Sequence, residues 1–259
     1  MAKVNGSFVS LSLPRRMIGD FLSGTRQMPL VTGQRRLRLA EVIAARHAAK
    51  PRPSWAALTV KAYAAVCARN SRLRRTFVSW PWSRLFQYDE PIISLVVERD
   101  YHGEAGLFLA RFHSPHQTPL AELHESIQEF KTRPIEEIRG FHNALRMAAL
   151  PALVRRPLWW LMMNVMPRLR AGCLGTHGIS PTTGMRVRGI HIVTPWTVAM
   201  HYDLPGEDGE MDFRFSFDHR VYDAGYLAVA MGAIEQELCG PIVAELRAMA
   251  APHALSRAA

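Results

Sequence analysis

Near the C-terminal end of the chain, Phe213, Phe215 and Phe217 alternate with Asp212, Arg214 and Ser216. A period of two is that of a strand with one buried face and one wetter face, so a strand is predicted over 211–217. The alternation ends at Asp218. A turn-like D-H-R carrying His219 follows. Beyond Asp223 the period becomes helical, with Leu227, Met231, Ile234 and Leu238 on one stripe of a helix over 224–238. A histidine therefore sits where a strand leaves a sheet, a junction at which rigid elements hold a side chain and a loop leaves it accessible.

The same reading gives helices and strands in alternation along the rest of the chain. Ser12 and Pro14 suit a helix start, with Leu13, Met17 and Phe21 as the apolar face and Gly24 as the stop. A strand is expected over 28–39, then a helix through Val42, Ile43 and Ala45. Ser54 caps a core helix over 55–68. Residues 77–82, 84–88, 91–97 and 106–112 read as strands, and P-I-I-S-L-V-V, apolar on both faces, belongs at the centre of a sheet. Thr118 as N-cap and Pro119 as the first helical residue open a helix with Leu120, Leu123, Ile127 and Phe130 at helical spacing. Residues 134–150 read as another. Strands over 185–193 and 196–204 lead through a turn at 206–209 into the phenylalanine strand.

Between these lies the most apolar run, P-A-L-V-R-R-P-L-W-W-L-M-M-N-V-M-P. A bilayer span needs roughly 20 apolar residues, and Arg155, Arg156 and Pro157 interrupt this one, so it is not a transmembrane segment. A helix over 157–166 is expected. It either packs in the core or against another subunit, or else offers a docking surface to a lipid or long acyl chain, for which Trp159, Trp160 and the pliable methionines are suited.

Composition adds bounds. With 259 residues and no low-complexity linker or repeat, the chain reads as one domain over 1–259. The net charge of +10 favours anionic partners. The basic residues form no tract with interleaved aromatics and no nucleic-acid motif, so nucleic acid is not expected. Coenzyme A, an acidic carrier protein or peripheral contact with an anionic membrane would use the same field. Cys67, Cys173 and Cys239 lie far apart, without a C-x-x-C pair, which fits a reducing compartment. The N-terminus lacks the apolar core of a signal peptide, so a cytoplasmic protein is expected. His191, His201, His113 and His116 have no metal-ligand spacing, and the motifs of dinucleotide enzymes, P-loop NTPases and α/β-hydrolases are missing.

The octet D-H-R-V-Y-D-A-G resembles the D-H-R-x-x-D-G signature of the acyltransferase (E2) catalytic domain of 2-oxoacid dehydrogenase complexes, and more distantly the H-H-x-x-x-D-G of chloramphenicol acetyltransferase and condensation domains. L-P-R-R-M-I-G-D-F-L-S-G resembles the family's opening helix, and L-T-V-K-A-Y-A-A-V a later one, so the likeness runs from about Leu13 to Leu238. It implies a two-layer α/β fold of the chloramphenicol acetyltransferase class, with a mixed, mainly antiparallel sheet covered by helices. It also implies a homotrimer whose active sites lie in channels between neighbouring subunits.

By the same resemblance His219 is the general base, as suits an imidazole, which titrates near roughly 6.5 when unperturbed. L-G-T-H-G stands where the family has T-x-S-N-x-G, which makes Thr176 the candidate oxyanion donor, with Ser180, Thr182 and Thr183 as neighbouring alternatives. Asp223 would pair with Arg15 or Arg16 and fix the loop that presents the histidine, or cap the next helix, or do both. Asp218 and Arg220 flank His219, and the channel would run toward Trp159 and Trp160. Two departures stand out: Ala224 precedes Gly225 where the family has Gly directly after the Asp, and His177 replaces an Asn. With no lipoyl or subunit-binding domain, the expectation is a free-standing acyltransferase. It would have no tightly bound cofactor and no metal, and would draw on the thioester of coenzyme A or of the phosphopantetheine of an acyl carrier protein. The competing expectation is a scaffold or binding protein that kept the fold and trimer without the chemistry.

Overall fold

The computed structural model describes residues 7–181 and 191–251. The elements run in the order α1 (Leu13–Thr25), β1 (Leu30–Arg38), α2 (Ala40–Ala48), α3 (Trp55–Arg69), β2 (Arg75–Val78), β3 (Arg84–Gln87), β4 (Ile92–Tyr101), β5 (Glu104–His113), α4 (Leu120–Thr132), α5 (Arg139–Ala149), α6 (Ala152–Asn164), α7 (Pro167–Leu174), β6 (His177–Pro181), β7 (Val198–Tyr202), β8 (Glu210–Asp218), α8 (Ala224–Glu237) and α9 (Val243–Ala250). Serine side chains open two of the helices as the sequence suggests: Ser12 Oγ accepts from Arg15 N at 3.3 Å and Ser54 Oγ from Ala57 N at 3.3 Å.

Six strands form one mixed sheet in the order β1-β8-β7-β6-β4-β5. β1, β8 and β7 pair antiparallel, β7, β6 and β4 pair parallel, and β4 and β5 form a long antiparallel hairpin. β4 does lie inside the sheet. β2 and β3, by contrast, pair only with each other. The main core lies on one face, where Ile93, Leu95, Val198, Met200, Phe213 and Phe217 meet α3, α8 and α9. Alanines make α3 buried on almost every side, so it packs close to its neighbours.

The opposite face is only partly covered. Val96, Leu109 and Ala199 lie there under Met162, Met163 and Trp159 of α6, Leu174 of α7, and Trp196. α6 begins at Ala152, earlier than expected, and runs through Pro157. The ring costs the bond to the carbonyl of Leu153, and Leu153 is exposed, so water can take that place. The single helix expected over 134–150 is instead a 3₁₀ turn at Ile135–Glu137 followed by α5. The strand expected over 185–193 falls largely outside the described residues, and 191–193 are not strand.

Two expectations at the C-terminal end change. The polar side of β8 is not wet: Asp212, Arg214, Ser216 and Asp218 are all buried. Arg214 makes this tolerable by binding Asp203 at 2.9 Å and Gln34 at 3.0 Å, since buried charges must be paired. The final helix also does not stop at 238. It continues through a π-turn at Leu238–Ile242, which accommodates Pro241, into α9. The resulting rod, Ala224–Ala250, is long and apolar enough to cross a membrane by composition alone. Here Leu227, Met231, Ile234, Ile242 and Leu246 face the core, and Glu235, Glu237 and Glu245 form ion pairs with Arg35, Arg69 and Lys61, which makes it a core helix.

Candidate active site

β8 carries the chain to Asp218 and releases it into a tight turn. Asp218 is buried and holds Arg220 through both carboxylate oxygens, at 2.9 and 2.7 Å, while the guanidinium lies 4.2 Å from the centre of the Phe77 ring. That clamp fixes the residue between them. His219 N donates to Pro29 O at 3.0 Å, and His219 Nδ1 lies 3.0 Å from Tyr222 O. A carbonyl only accepts, so the proton sits on Nδ1 and the lone pair on Nε2. None of the described residues hydrogen-bonds Nε2, and half of the side chain is exposed. Tyr222 is itself anchored: its hydroxyl donates to Leu73 O at 2.8 Å, and burial raises its pKa.

Asp223 lies 3.6 Å from His219 Nδ1 and occupies the N-cap position of α8, although its side chain makes no capping bond. The structure therefore brings these two together. No residue from 219 to 225 has a positive φ, and Ala224 is the first residue of α8, so this turn requires no glycine at that position.

Arg15 and Arg16 are not brought to Asp223 within the chain. Arg15 pairs with Glu104 at 3.0 Å, on the β5 side of the molecule, and Arg16 donates to Leu11 O at 3.0 Å. α1 packs on β5 and α5, whereas β8 lies at the other side of the sheet, so the expected pairing is geometrically excluded in one subunit.

Thr176 is also corrected. Its hydroxyl accepts from Ile92 N at 2.9 Å and lies 2.7 Å from His177 Nδ1. His177 Nε2 faces Leu73 O at 2.8 Å and must donate to it, so Nδ1 is an acceptor and shares the threonine proton with Ile92 O, at 3.0 Å. Burial pushes the His177 pKa down to about 4, which keeps the ring neutral. The one proton of Thr176 is thus spent inside the fold. Of the other hydroxyls near it, Thr182 and Thr183 lie outside the described residues, while Ser180 is half-buried and no described residue bonds its Oγ. Register separates Ser180 from His219: it is level with His201 and Arg214, four residues up the strand from Asp218 and two strands across. At about 3.3 Å per residue and about 4.8 Å per strand, the two are far beyond reacting distance in one chain.

Ser180 faces a cavity of about 360 Å³ on the partly covered side of the sheet. Met17, Phe21, Leu109, Met162, Trp159 and Trp196 give it an apolar wall. Trp159 is thus in the cavity, whereas Trp160 is nearly half exposed and points to a neighbouring surface pocket with Arg156. The cavity exists because α5 presents Gly140, Ala144 and Ala148, a run of small residues at a spacing of four that sequence reading passed over. Among the described residues, no group of His, Cys, Asp and Glu is arranged to hold a metal ion.

The mixed sheet and its flanking helices form the α/β fold seen in E2 catalytic cores of 2-oxoacid dehydrogenase complexes. No protein-family model matches the sequence, and no curated protein does. Solved structures do. A probable dihydrolipoamide acetyltransferase from Listeria monocytogenes superposes with a TM-score of 0.61 at 14% identity, covering 90% of this chain and 94% of that one. The dihydrolipoamide acetyltransferase of Azotobacter vinelandii, in which a serine, a histidine and an asparagine were investigated for their role in the catalytic mechanism, gives 0.62 at 17% over 93% and 94%. A truncated catalytic core of the 2-oxoacid dehydrogenase complex from Thermoplasma acidophilum gives 0.64 at 13% over 91% and 99%.

Proposed function

We propose that this protein is an acyltransferase in which His219 is the general base. The observation that carries the reading is the free Nε2 of a histidine whose other nitrogen is held by Tyr222 O. Similarity of fold to acetyltransferase cores supports it, as does a spacing: the investigated histidine and asparagine of the Azotobacter enzyme are four residues apart, as are His219 and Asp223.

Nε2 takes the proton of an acceptor thiol, amine or hydroxyl as that atom attacks a thioester carbonyl. The tetrahedral oxyanion needs a donor. With Thr176 committed, Ser180, whose Oγ no described residue bonds, supplies it from a neighbouring subunit of a homotrimer, because His219 of the same chain lies too far away. Collapse breaks the C–S bond, and the imidazolium returns its proton to the departing thiolate. The donor is the thioester of coenzyme A or of an acyl carrier protein, and the positive charge of the chain suits both.

The test is release of free thiol from a panel of acyl-CoAs and acylated carrier proteins. His219→Ala is expected to lower the rate by about 10²–10⁴. Equal, background release by both proteins with every donor would instead support a non-catalytic scaffold.

A further inference from the structure

The cavity beneath α5 and α6 is not required by the proposed proton transfers. We propose that it binds the alkyl chain of a fatty acyl group, with the free carboxylate of a fatty acid at Arg111 and Asn143 and the carbonyl of a thioester at Ser180; the link to catalysis, though not the binding itself, rests on the acyltransferase reading.

Size, lining and charge each narrow the ligand. An aliphatic cavity of about 150 Å³ stays dry and takes up a six-carbon ring. This one, at about 360 Å³, has room for roughly a dozen carbons by the same measure. Its wall combines methionines, which adapt to a flexible chain, with Trp159 and Trp196. Trp196 is fixed, because its Nε1 donates to Leu174 O at 2.5 Å and Ser94 Oγ donates to the same carbonyl. The space is thus a built feature of the packing.

Two charged groups border it. Asp20 is neutralised by its ion pair with the buried Arg155. Arg111 has no carboxylate partner among the described residues: its Nη1 donates to the carbonyls of Gly172 and Cys173, which leaves the rest of the guanidinium available. Asn143 lines the same region, and its side-chain amide makes no hydrogen bond among the described residues. An apolar space ended by a guanidinium with no carboxylate partner and a side-chain amide with no hydrogen bond among the described residues fits an aliphatic chain with a carboxylate at its head. A fatty acyl thioester presents the same chain, with its carbonyl at Ser180.

Cys173 lines the cavity and reports on it, while Cys239, half-buried against Arg38 O, serves as an internal reference. Maleimide labelling of each cysteine is followed by mass spectrometry with dodecanoate, dodecanoyl-CoA or neither, using the full chain and its His219→Ala variant so that turnover plays no part. The proposal predicts that either ligand slows labelling of Cys173 at least fivefold and leaves Cys239 unchanged. Protection by dodecanoate alone identifies a fatty acid site; protection by dodecanoyl-CoA identifies an acyl-donor site. Ala144→Trp, which fills the space, should bring Cys173 labelling with ligand back to within twofold of the ligand-free rate while the circular dichroism stays that of the parent, and Arg111→Lys should keep the protection. No protection by either ligand, or protection that Ala144→Trp leaves intact, overturns the proposal. Neither result bears on thiol release by His219, so the two readings fail separately.

Discussion

At the scale of single residues, histidine and hydroxyl types were easier to find than their roles. His219 was legible because a period of two breaks off at Asp218, and the structure adds what spacing cannot give, the tautomer set by Tyr222 O. Thr176 was named for its loop, yet its hydroxyl serves Ile92 and His177, because cross-strand partners come from residues 84 positions away. Opposite consequences follow for the two hydroxyls. Thr176→Val should cost about 1–3 kcal/mol of stability by leaving buried partners unsatisfied, measured by urea unfolding. Ser180→Ala should leave stability nearly unchanged and slow turnover by about 10²–10³.

His177 makes a pH prediction of its own. Its folded pKa, about 4, lies below the unfolded value near 6.5. The unfolded chain therefore binds the extra proton first, and stability is full above about pH 6.5 and falls as pH drops toward 4. The contribution is on the order of 3 kcal/mol, and unfolding free energies that stayed flat from pH 7 to 4.5 would show that the ring is not buried neutral.

At the scale of elements, most strands and helices could be read because their apolar positions repeat at 2 or 3.6 residues. What could not be read was the burial of both faces of β8, since the cover comes from β1, β7 and their polar partners and leaves no trace in the strand's own alternation. The fusion of α8 with α9 was hidden for a different reason: Gly240 and Pro241 signal a stop, and the π-turn absorbs them. Gly178 is a comparable case. A Cβ there would run into the Trp196 ring, and the strand can lie flat against the indole only without one. Gly178→Ala should therefore cost at least about 1–3 kcal/mol, and should shift the fluorescence of the displaced tryptophan to longer wavelength. Unchanged stability and emission would mean that β6 and Trp196 are not packed in this way.

At the scale of the whole molecule, the groups assigned to the proposed reaction lie apart within one chain. His219 and Asp223 stand at one end of β8, the hydroxyl of Ser180 lies two strands away, and the expected arginine partner is at the far side of the sheet. A heterologous ring of identical subunits joins such separated surfaces without new elements, and the E2-like fold was readable from the D-H-R-V-Y-D motif that ends in one of them. Light scattering is expected to give a trimer, with no activity in any monomeric variant. The most direct measurement mixes two impaired proteins. His219→Ala and Ser180→Ala chains, co-refolded in equal amounts, should recover about one quarter of the wild-type rate, the share of interfaces at which histidine and serine both arrive intact; a mixture no more active than its two components assayed alone would contradict a shared site.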